Sequence, residues 1–87
     1  MFVILVYDVN QKRVAKVLKK CRAYLTWVQN SVFEGEISKA NFHKLKTELS
    51  RLIDPDEDSV IIYILRTTRY SERQIIGVEK GGFDNFL

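Results

Sequence analysis

The first eight residues constrain the fold more than any other stretch, because an almost wholly apolar run ends there in a carboxylate. The run reads Met1-Phe2-Val3-Ile4-Leu5-Val6-Tyr7-Asp8. A short run rich in β-branched residues and followed by polar sequence predicts a strand that is buried on both faces. Because side chains alternate along a strand, Asp8 shares its face with Phe2, Ile4 and Val6. The opposite face carries Val3, Leu5 and Tyr7.

The position of Asp8 makes it the first candidate for chemistry. It stands at the C-terminal end of a predicted central strand, and the loop after such a strand opens a site to solvent. Two structural interpretations compete with a functional one: Asp8 caps the strand end, or it forms an ion pair with Arg13. Residue types alone do not decide between these interpretations.

The length of 87 residues predicts one domain with limited burial. A chain of this size buries roughly 60–65% of its unfolded surface, so association with another chain would help it to fold stably. The formal net charge of +3 permits a nucleic-acid partner without requiring one. Cys21 is the single cysteine and His43 the single histidine, which excludes an internal disulfide and a structural zinc site within one chain.

Neither a membrane partner nor an export signal is predicted. No run reaches the roughly 18 apolar residues of a transmembrane helix. The first residues lack the basic segment and the small-residue cleavage site of a signal peptide. Together with the single cysteine, these features predict a protein of the reducing cytoplasm.

A basic helix is predicted soon after the first strand. Asn10 is a suitable N-cap, and the apolar residues that follow have helical spacing. This helix contains no acidic residue. Its early cations Lys12, Arg13 and Lys16 are near the first carboxylate in sequence and are candidate phosphate contacts, with a solvated helix face as the alternative. The apolar stripe consists of Val14, Val17, Leu18, Cys21, Tyr24 and Leu25.

Two short strands follow the basic helix. Residues 25–29 and 31–37 have strand character, and the second segment alternates clearly between apolar and polar side chains. The break at Asn30-Ser31 is compatible with a tight hairpin or with one long bent strand. We favour the hairpin.

A second helix is predicted after Ser38, which is a suitable N-cap. It ends before Asp54-Pro55, because proline disfavours helix at the preceding residue. His43 falls off the apolar stripe and is expected on the solvent side. The acidic segment 54–58 lacks the spacing and the glycine of a calcium loop, so we expect a solvated turn.

The last third of the chain contains a second buried strand and a short terminal one. Residues 59–65 are apolar on both faces, like the first strand. A polar link over 66–71 carries Arg66 and Arg69, which are further candidate phosphate contacts. Residues 74–79 are a predicted short strand. The predicted domain spans 1–79, and a C-terminal tail spans 80–87.

This order of elements predicts an α+β fold of the ferredoxin-like type, a split βαβ arrangement with a short extra strand. Right-handed crossovers place both helices on one face of a four-stranded antiparallel sheet. The strands that start at Phe2 and Ser59 are apolar on both faces, so the second face must also be covered. A two-fold homodimer through that face is the simplest solution. The extra strand is expected to extend an open sheet edge, of this chain or of the partner.

A dimer changes what Asp8 can bind. One aspartate is a poor divalent-metal site, because Mg²⁺ binds to one or two carboxylates together with water and phosphate oxygens. Two-fold symmetry can bring two copies of Asp8 to one cleft. A metal ion held there would polarise a phosphodiester and activate water.

Two segments and the chain length resemble one protein family. The segments are the opening Phe-Val-Ile-Leu-Val-Tyr-Asp and the more specific Val28-Gln29-Asn30-Ser31-Val32-Phe33-Glu34-Gly35. Together they resemble the small CRISPR-associated endonuclease subunit of the spacer-acquisition machinery. The resemblance covers nearly the whole chain.

The resemblance implies a ferredoxin-like homodimer with a Mg²⁺ site at Asp8, where Mn²⁺ is an alternative ion. It implies nuclease activity on RNA or on double-stranded DNA. It also implies assembly with the integrase subunit that inserts new spacers, in which the small subunit is a central DNA-holding bridge.

Two departures from the family pattern affect the site. Many members have a longer segment after the aspartate, with a further acid and paired arginines, where this chain has only Asn10-Gln11-Lys12-Arg13. Many also have an arginine before Val28-Gln29, where this chain has Trp27. Both changes remove groups that bind phosphate or metal. Trp27 is expected to pack rather than to stack on a base.

Three other functions compete with a metal-dependent nuclease. A non-catalytic DNA-binding bridge of the adaptation complex is compatible with it, because one protein can do both. A toxin-like mRNA endonuclease on a similar small fold would arrest growth without any CRISPR context. A small-ligand regulatory module ranks last, because the chain has no glycine-rich phosphate loop.

Overall fold

A computed structural model describes residues 1–67 and 70–80, including all their side chains except those of residues 66, 67, 70 and 71. The chain forms five strands and two helices within these ranges. They are β1 (Phe2–Asp8), α1 (Gln11–Tyr24), β2 (Thr26–Gln29), β3 (Val32–Glu36), α2 (Lys39–Leu52), β4 (Ser59–Thr67) and β5 (Tyr70–Gly77).

The five strands form one antiparallel sheet in the order β2-β3-β1-β4-β5. The first four follow the split βαβ order, so the predicted ferredoxin-like α+β fold is confirmed. β1 is the central strand and pairs with β4 from Phe2, opposite Leu65, to Asp8, opposite Ser59. Its end is therefore held between neighbours on both sides.

Both helices cover the same face of the sheet. Val17 and Cys21 of α1 and Leu45 and Leu49 of α2 belong to one buried cluster, together with Leu5 of β1. The predicted alternation of β1 is confirmed on this side, where the side chains of Val3, Leu5 and Tyr7 are buried. The two helices have 14 residues each, and within the described ranges neither is long and apolar enough to cross a bilayer.

The other face of the sheet is only partly covered within one chain. Phe2, Ile4 and Val6 are half-buried, and Leu65, opposite Phe2, is exposed. The isolated chain thus leaves this face partly open, as the split βαβ arrangement implies, and its coverage by a second copy stays a prediction. The physical reason is that both helices pack on the opposite side, and no described segment crosses this face.

The segment after the first helix is a hairpin, as predicted. β2 and β3 pair antiparallel around a turn at Asn30, which has a φ of 43°. Trp27 lies opposite Phe33, and a register shift follows before Gln29. Asparagine adopts this left-handed conformation more readily than most residues, which makes the tight turn possible here.

The last strand differs from its prediction. β5 begins at Tyr70 rather than at residue 74 and pairs with β4 of the same chain over its whole length. The predicted polar link 66–71 is thus shorter, because β4 extends to Thr67. The first residues of β5 are mostly polar, so the sequence did not indicate a strand there. An edge strand needs only backbone pairing and one covered face. Residues 81–87 of the predicted tail lie outside the described residues.

The predicted helix caps are confirmed. The Asn10 side chain accepts a hydrogen bond from the backbone N–H of Lys12, and the Ser38 side chain accepts one from that of Asn41. Each cap satisfies a donor that the first turn of a helix leaves free. His43 is exposed on α2, as its place off the apolar stripe predicted.

The acidic segment 54–58 is only partly the solvated turn that was predicted. Pro55, Asp56 and Glu57 are exposed, but the side chain of Asp58 is completely buried. Its carboxylate forms two hydrogen bonds with the Arg13 guanidinium, one from Nε and one from Nη2.

Asp58 also joins two backbone segments. Its carboxylate accepts the backbone N–H of Asn10 at 2.8 Å and that of Asp54 at 2.9 Å. The hydrogen bonds from Arg13 hold the pKa of Asp58 well below its usual range against the opposing effect of burial, with help from these two N–H groups. The start of α1 is thereby attached to the loop that leads into β4.

We expect Asp58→Asn to lower the free energy of unfolding at pH 7 by about 2 kcal/mol, because it weakens several hydrogen bonds to a buried charge. A carboxylate with a lowered pKa stabilises the fold above the unfolded pKa of about 4, and this stabilisation is lost as the pH falls further. Urea unfolding between pH 7 and pH 2 should therefore show a weaker acid dependence in the variant. Asp56→Asn, in the same turn but exposed, is the matched control, and an equal effect of both changes would contradict the assignment.

Candidate functional site

Asp8 lies at an open cavity at the C-terminal end of β1. The cavity has a volume of about 280 Å³ and is lined by Tyr7, Asp8, Val9, Val14, Asn30 and Ser31. The Asp8 side chain is 72% exposed. Strand β1 ends here because Asn10 caps α1 two residues later, which turns the chain over the end of the sheet. The carboxylate is thus open to solvent and to a ligand.

The β2–β3 turn forms one wall of this cavity. The backbone N–H of Tyr7 donates to the carbonyl of Ser31 at 3.1 Å, which ties the turn to β1. The Trp27 indole N–H donates to the carbonyl of Asn30 at 2.9 Å. The rings of Tyr7 and Phe33 stack with their centroids 6.2 Å apart. The wall is therefore held by both backbone and side-chain contacts.

Tyr7 lines the cavity, yet its side chain belongs to the buried core. Burial raises the pKa of Tyr7 and the nearby Cys21 adds to the effect, whereas the charge of Arg22 opposes it. Arg22 is exposed in the last turn of α1.

The predicted ion pair between Asp8 and Arg13 does not form. Asp8 instead lies 3.5 Å from the ammonium group of Lys80, measured from Oδ1 to Nζ. An ion pair this exposed contributes little to stability and yields easily to a competing cation. Lys80 was assigned to the tail, and no local pattern in the sequence connects it with the end of β1.

Arg13 does not face the cavity as a free phosphate contact. Its side chain is 17% exposed and pairs with Asp58 and Glu57. Lys12 and Lys16 are exposed on α1, in agreement with a solvated basic face. Lys16 lines a second cavity, of about 350 Å³, with Lys19, Lys20, Ala23 and Leu52.

The two remaining candidates cannot be placed against the site. Arg66 belongs to β4, but its side chain is outside the described part of the chain. Arg69 lies outside the described residues altogether.

The donor set at Asp8 fits a shared metal ion better than a site within one chain. Among the described residues, no group of three histidine, cysteine, aspartate or glutamate side chains is close enough to hold a metal. Mg²⁺ needs only one or two carboxylates when water and phosphate oxygens complete its shell. An exposed carboxylate whose partner is a half-exposed lysine meets this requirement, provided that a second carboxylate or a substrate phosphate is added.

The sequence matches the family model described as CRISPR associated protein Cas2 over residues 1–73. It is 59% identical to the CRISPR-associated endoribonuclease Cas2 of Dictyoglomus turgidum over 87 residues, which cover both chains completely. It is 58% identical to the protein of the same name from Thermotoga maritima, over all of this chain and 99% of that one.

Solved structures agree with this assignment. A Cas2 crystal structure has a TM-score of 0.74 at 45% identity, with 94% of this chain and 92% of that chain covered. Cas2 of Streptococcus pyogenes has a TM-score of 0.69 at 41% identity, with 75% and 86% covered. Sequence and fold lead to the same conclusion, and the chain belongs to the Cas2 family of CRISPR-associated proteins.

Proposed function

We propose that this protein is a metal-dependent endoribonuclease of a CRISPR system, and that Asp8 of two subunits holds the catalytic Mg²⁺. The observation that carries the proposal is the exposed Asp8 carboxylate at an open cavity, in a chain 59% identical to a named Cas2 endoribonuclease over its whole length. Mn²⁺ is an alternative ion, because carboxylate and water ligands suit both metals.

The residues around the cavity have separate tasks in this proposal. A bound divalent ion supplies Lewis-acid polarisation of the phosphodiester and a more acidic water. Asp8 holds that ion, and Lys80 is displaced from the carboxylate towards a substrate phosphate. Arg22 is exposed on α1 and is a further candidate contact for the phosphate backbone.

A homodimer through the uncovered sheet face supports this site. Leu65 is 37% exposed on that face, beside the half-buried Phe2, Ile4 and Val6 of β1. Such a continuous apolar patch on a small domain is typical of an interface. A two-fold axis that runs along β1 would bring the two copies of Asp8 to one cleft, and this is the dimer that the proposal requires.

Asp8→Asn should lower Mg²⁺-dependent cleavage of single-stranded RNA by roughly a hundredfold or more, because it removes the charge that holds the ion. The measurement is cleavage of labelled RNA with Mg²⁺, with Mn²⁺ and with EDTA. Glu36→Gln is the matched control, since Glu36 is exposed at the opposite end of the sheet from Asp8.

Double-stranded DNA is tested in the same assay as an alternative substrate. Cleavage that survives EDTA, or that is equal in the Asp8→Asn variant, would contradict the proposed chemistry. Circular dichroism and sedimentation of each variant show whether the fold and the oligomeric state are unchanged.

Ile4→Asp should convert a dimer into a monomer, because it places a charge in the centre of the apolar face. Analytical ultracentrifugation measures the mass, and Ile4→Val is the control that keeps the face apolar. We also expect the monomer to lose most cleavage, since each subunit then supplies one Asp8 only. A wild-type protein that is monomeric at micromolar concentration would contradict the shared metal site.

A second function is favoured by the basic surface of α1. Lys16, Lys19 and Lys20 line a cavity away from Asp8, which gives a cationic surface that the nuclease site does not use. We propose that this surface binds the phosphate backbone of double-stranded DNA while the dimer bridges integrase subunits during spacer acquisition. Such contacts position DNA without reading its sequence.

Charge reversal at Lys16 and Lys19 should weaken binding of double-stranded DNA and reduce its salt dependence, because fewer counterions are released. Fluorescence anisotropy at several salt concentrations provides both quantities. Lys44→Glu, on the exposed surface of α2, is the control. Spacer acquisition in cells should then depend on Lys16 and Lys19 and be unaffected by Asp8→Asn. The opposite pattern would assign the biological role to cleavage.

A further inference from the structure

We propose that Trp27 is a nucleobase-binding site beside Asp8, where an unpaired base of single-stranded RNA stacks on the indole. This proposal deepens the nuclease function proposed above and depends on it for the identity of the ligand. It takes the alternative to the prediction that Trp27 packs rather than stacks on a base.

The first observation is the exposure of the indole. Trp27 is 50% exposed, whereas Phe33, its neighbour directly across the β2–β3 pair, is completely buried. The difference arises because β2 is the edge strand of the sheet and all four of its residues are exposed. Packing therefore accounts for Phe33 but leaves a large aromatic surface of Trp27 in contact with water.

The second observation is that the ring is held in place. The indole N–H donates to the carbonyl of Asn30 at 2.9 Å, which anchors the ring to the β2–β3 turn. Asn30 and Ser31 of this turn also line the cavity of Asp8. A ring anchored to the wall of the cavity is already oriented, so little conformational entropy is lost when a base stacks on it.

The third observation is the charge around this side of the molecule. The segment 9–33 contains basic residues and no acidic one. α1, which carries most of these cations, packs on the face of the sheet that buries Phe33, the cross-strand neighbour of Trp27. On β3, Glu34 is adjacent to Phe33 and so faces the other side of the sheet from Trp27. These surroundings favour the binding of an anionic chain over the binding of a basic or neutral protein surface.

An aromatic ring within a cationic surface is the arrangement that binds single-stranded nucleic acids, in which bases stack and phosphates pair with cations. The base must be unpaired, because bases within a duplex already stack on their neighbours. The site thus predicts a preference for single strands over duplexes.

Trp27 is the only tryptophan of the chain, so its fluorescence reports on this site directly. The experiment titrates the Asp8→Asn dimer, and separately the wild type in EDTA, with single-stranded oligoadenylate. We expect strong quenching of the indole fluorescence. An oligonucleotide of equal length with abasic positions should bind more weakly and quench little, and duplex DNA should not quench.

Substitutions separate stacking from simple proximity. Trp27→Leu should weaken binding of oligoadenylate, measured by anisotropy, by roughly fivefold to a hundredfold, whereas Trp27→Phe should keep most of the affinity. His43→Ala removes an exposed aromatic ring from α2 and should leave affinity unchanged. Circular dichroism of each variant verifies folding.

The outcomes distinguish this proposal from the nuclease function. Binding without any change in indole fluorescence, or equal affinity in Trp27→Leu, overturns the proposal and leaves the nuclease function intact. Quenching without metal-dependent cleavage by the wild type supports the base site and overturns the nuclease function. No binding of RNA at all overturns both. An indole that a second copy or another protein already shields from acrylamide before RNA is added also overturns the proposal.

Discussion

The buried ion pair between Arg13 and Asp58 is the interaction on which the site end of the molecule depends. The Asp58 carboxylate attaches the start of α1 to the loop before β4, and its backbone carbonyl accepts the N–H of Val78 after β5. At Gly77, which has a φ of 94°, an added Cβ would lie 2.1 Å from that carbonyl, so only glycine allows this approach. A buried pair contributes modestly to net stability, but its loss leaves an uncompensated charge, so it selects this arrangement over alternatives.

Two carboxylates at the same end of the sheet, Asp8 and Asp58, have different roles because their surroundings differ. Asp8 lies opposite Ser59 in the sheet, and Ser59 directly follows Asp58 in the sequence. Asp58 is buried and uses both oxygens for hydrogen bonds, so it has no capacity left for a ligand. Asp8 is exposed and lies 3.5 Å from the ammonium group of Lys80, an ion pair open to solvent. The ion pair of Asp58 thus holds the chain in a position in which Asp8 stays open to solvent.

The sheet is asymmetric in a way that connects its proposed activities. One face carries both helices and the core, and the other presents apolar side chains of β1 and β4 that suit a second copy. The edge strand β2 brings Trp27 to the side of the cavity, while the basic surface of α1 lies over the core. The proposed metal binding, base stacking and backbone contacts depend on different residues, so variants can test them separately.

Local patterns determined much of this protein. Alternation in the first strand identified which side chains share a face and placed Asp8 at the strand end, and the caps at Asn10 and Ser38 located the starts of both helices. The segment around Val32 indicated the family. These features succeed because periodicity and capping depend on neighbours in sequence. The tertiary structure alone decided that Arg13 pairs with Asp58, that Lys80 reaches Asp8, and that Trp27 stays exposed. Each of these features depends on which segments distant in sequence come into contact and on where the sheet ends. No local sequence pattern contains that information.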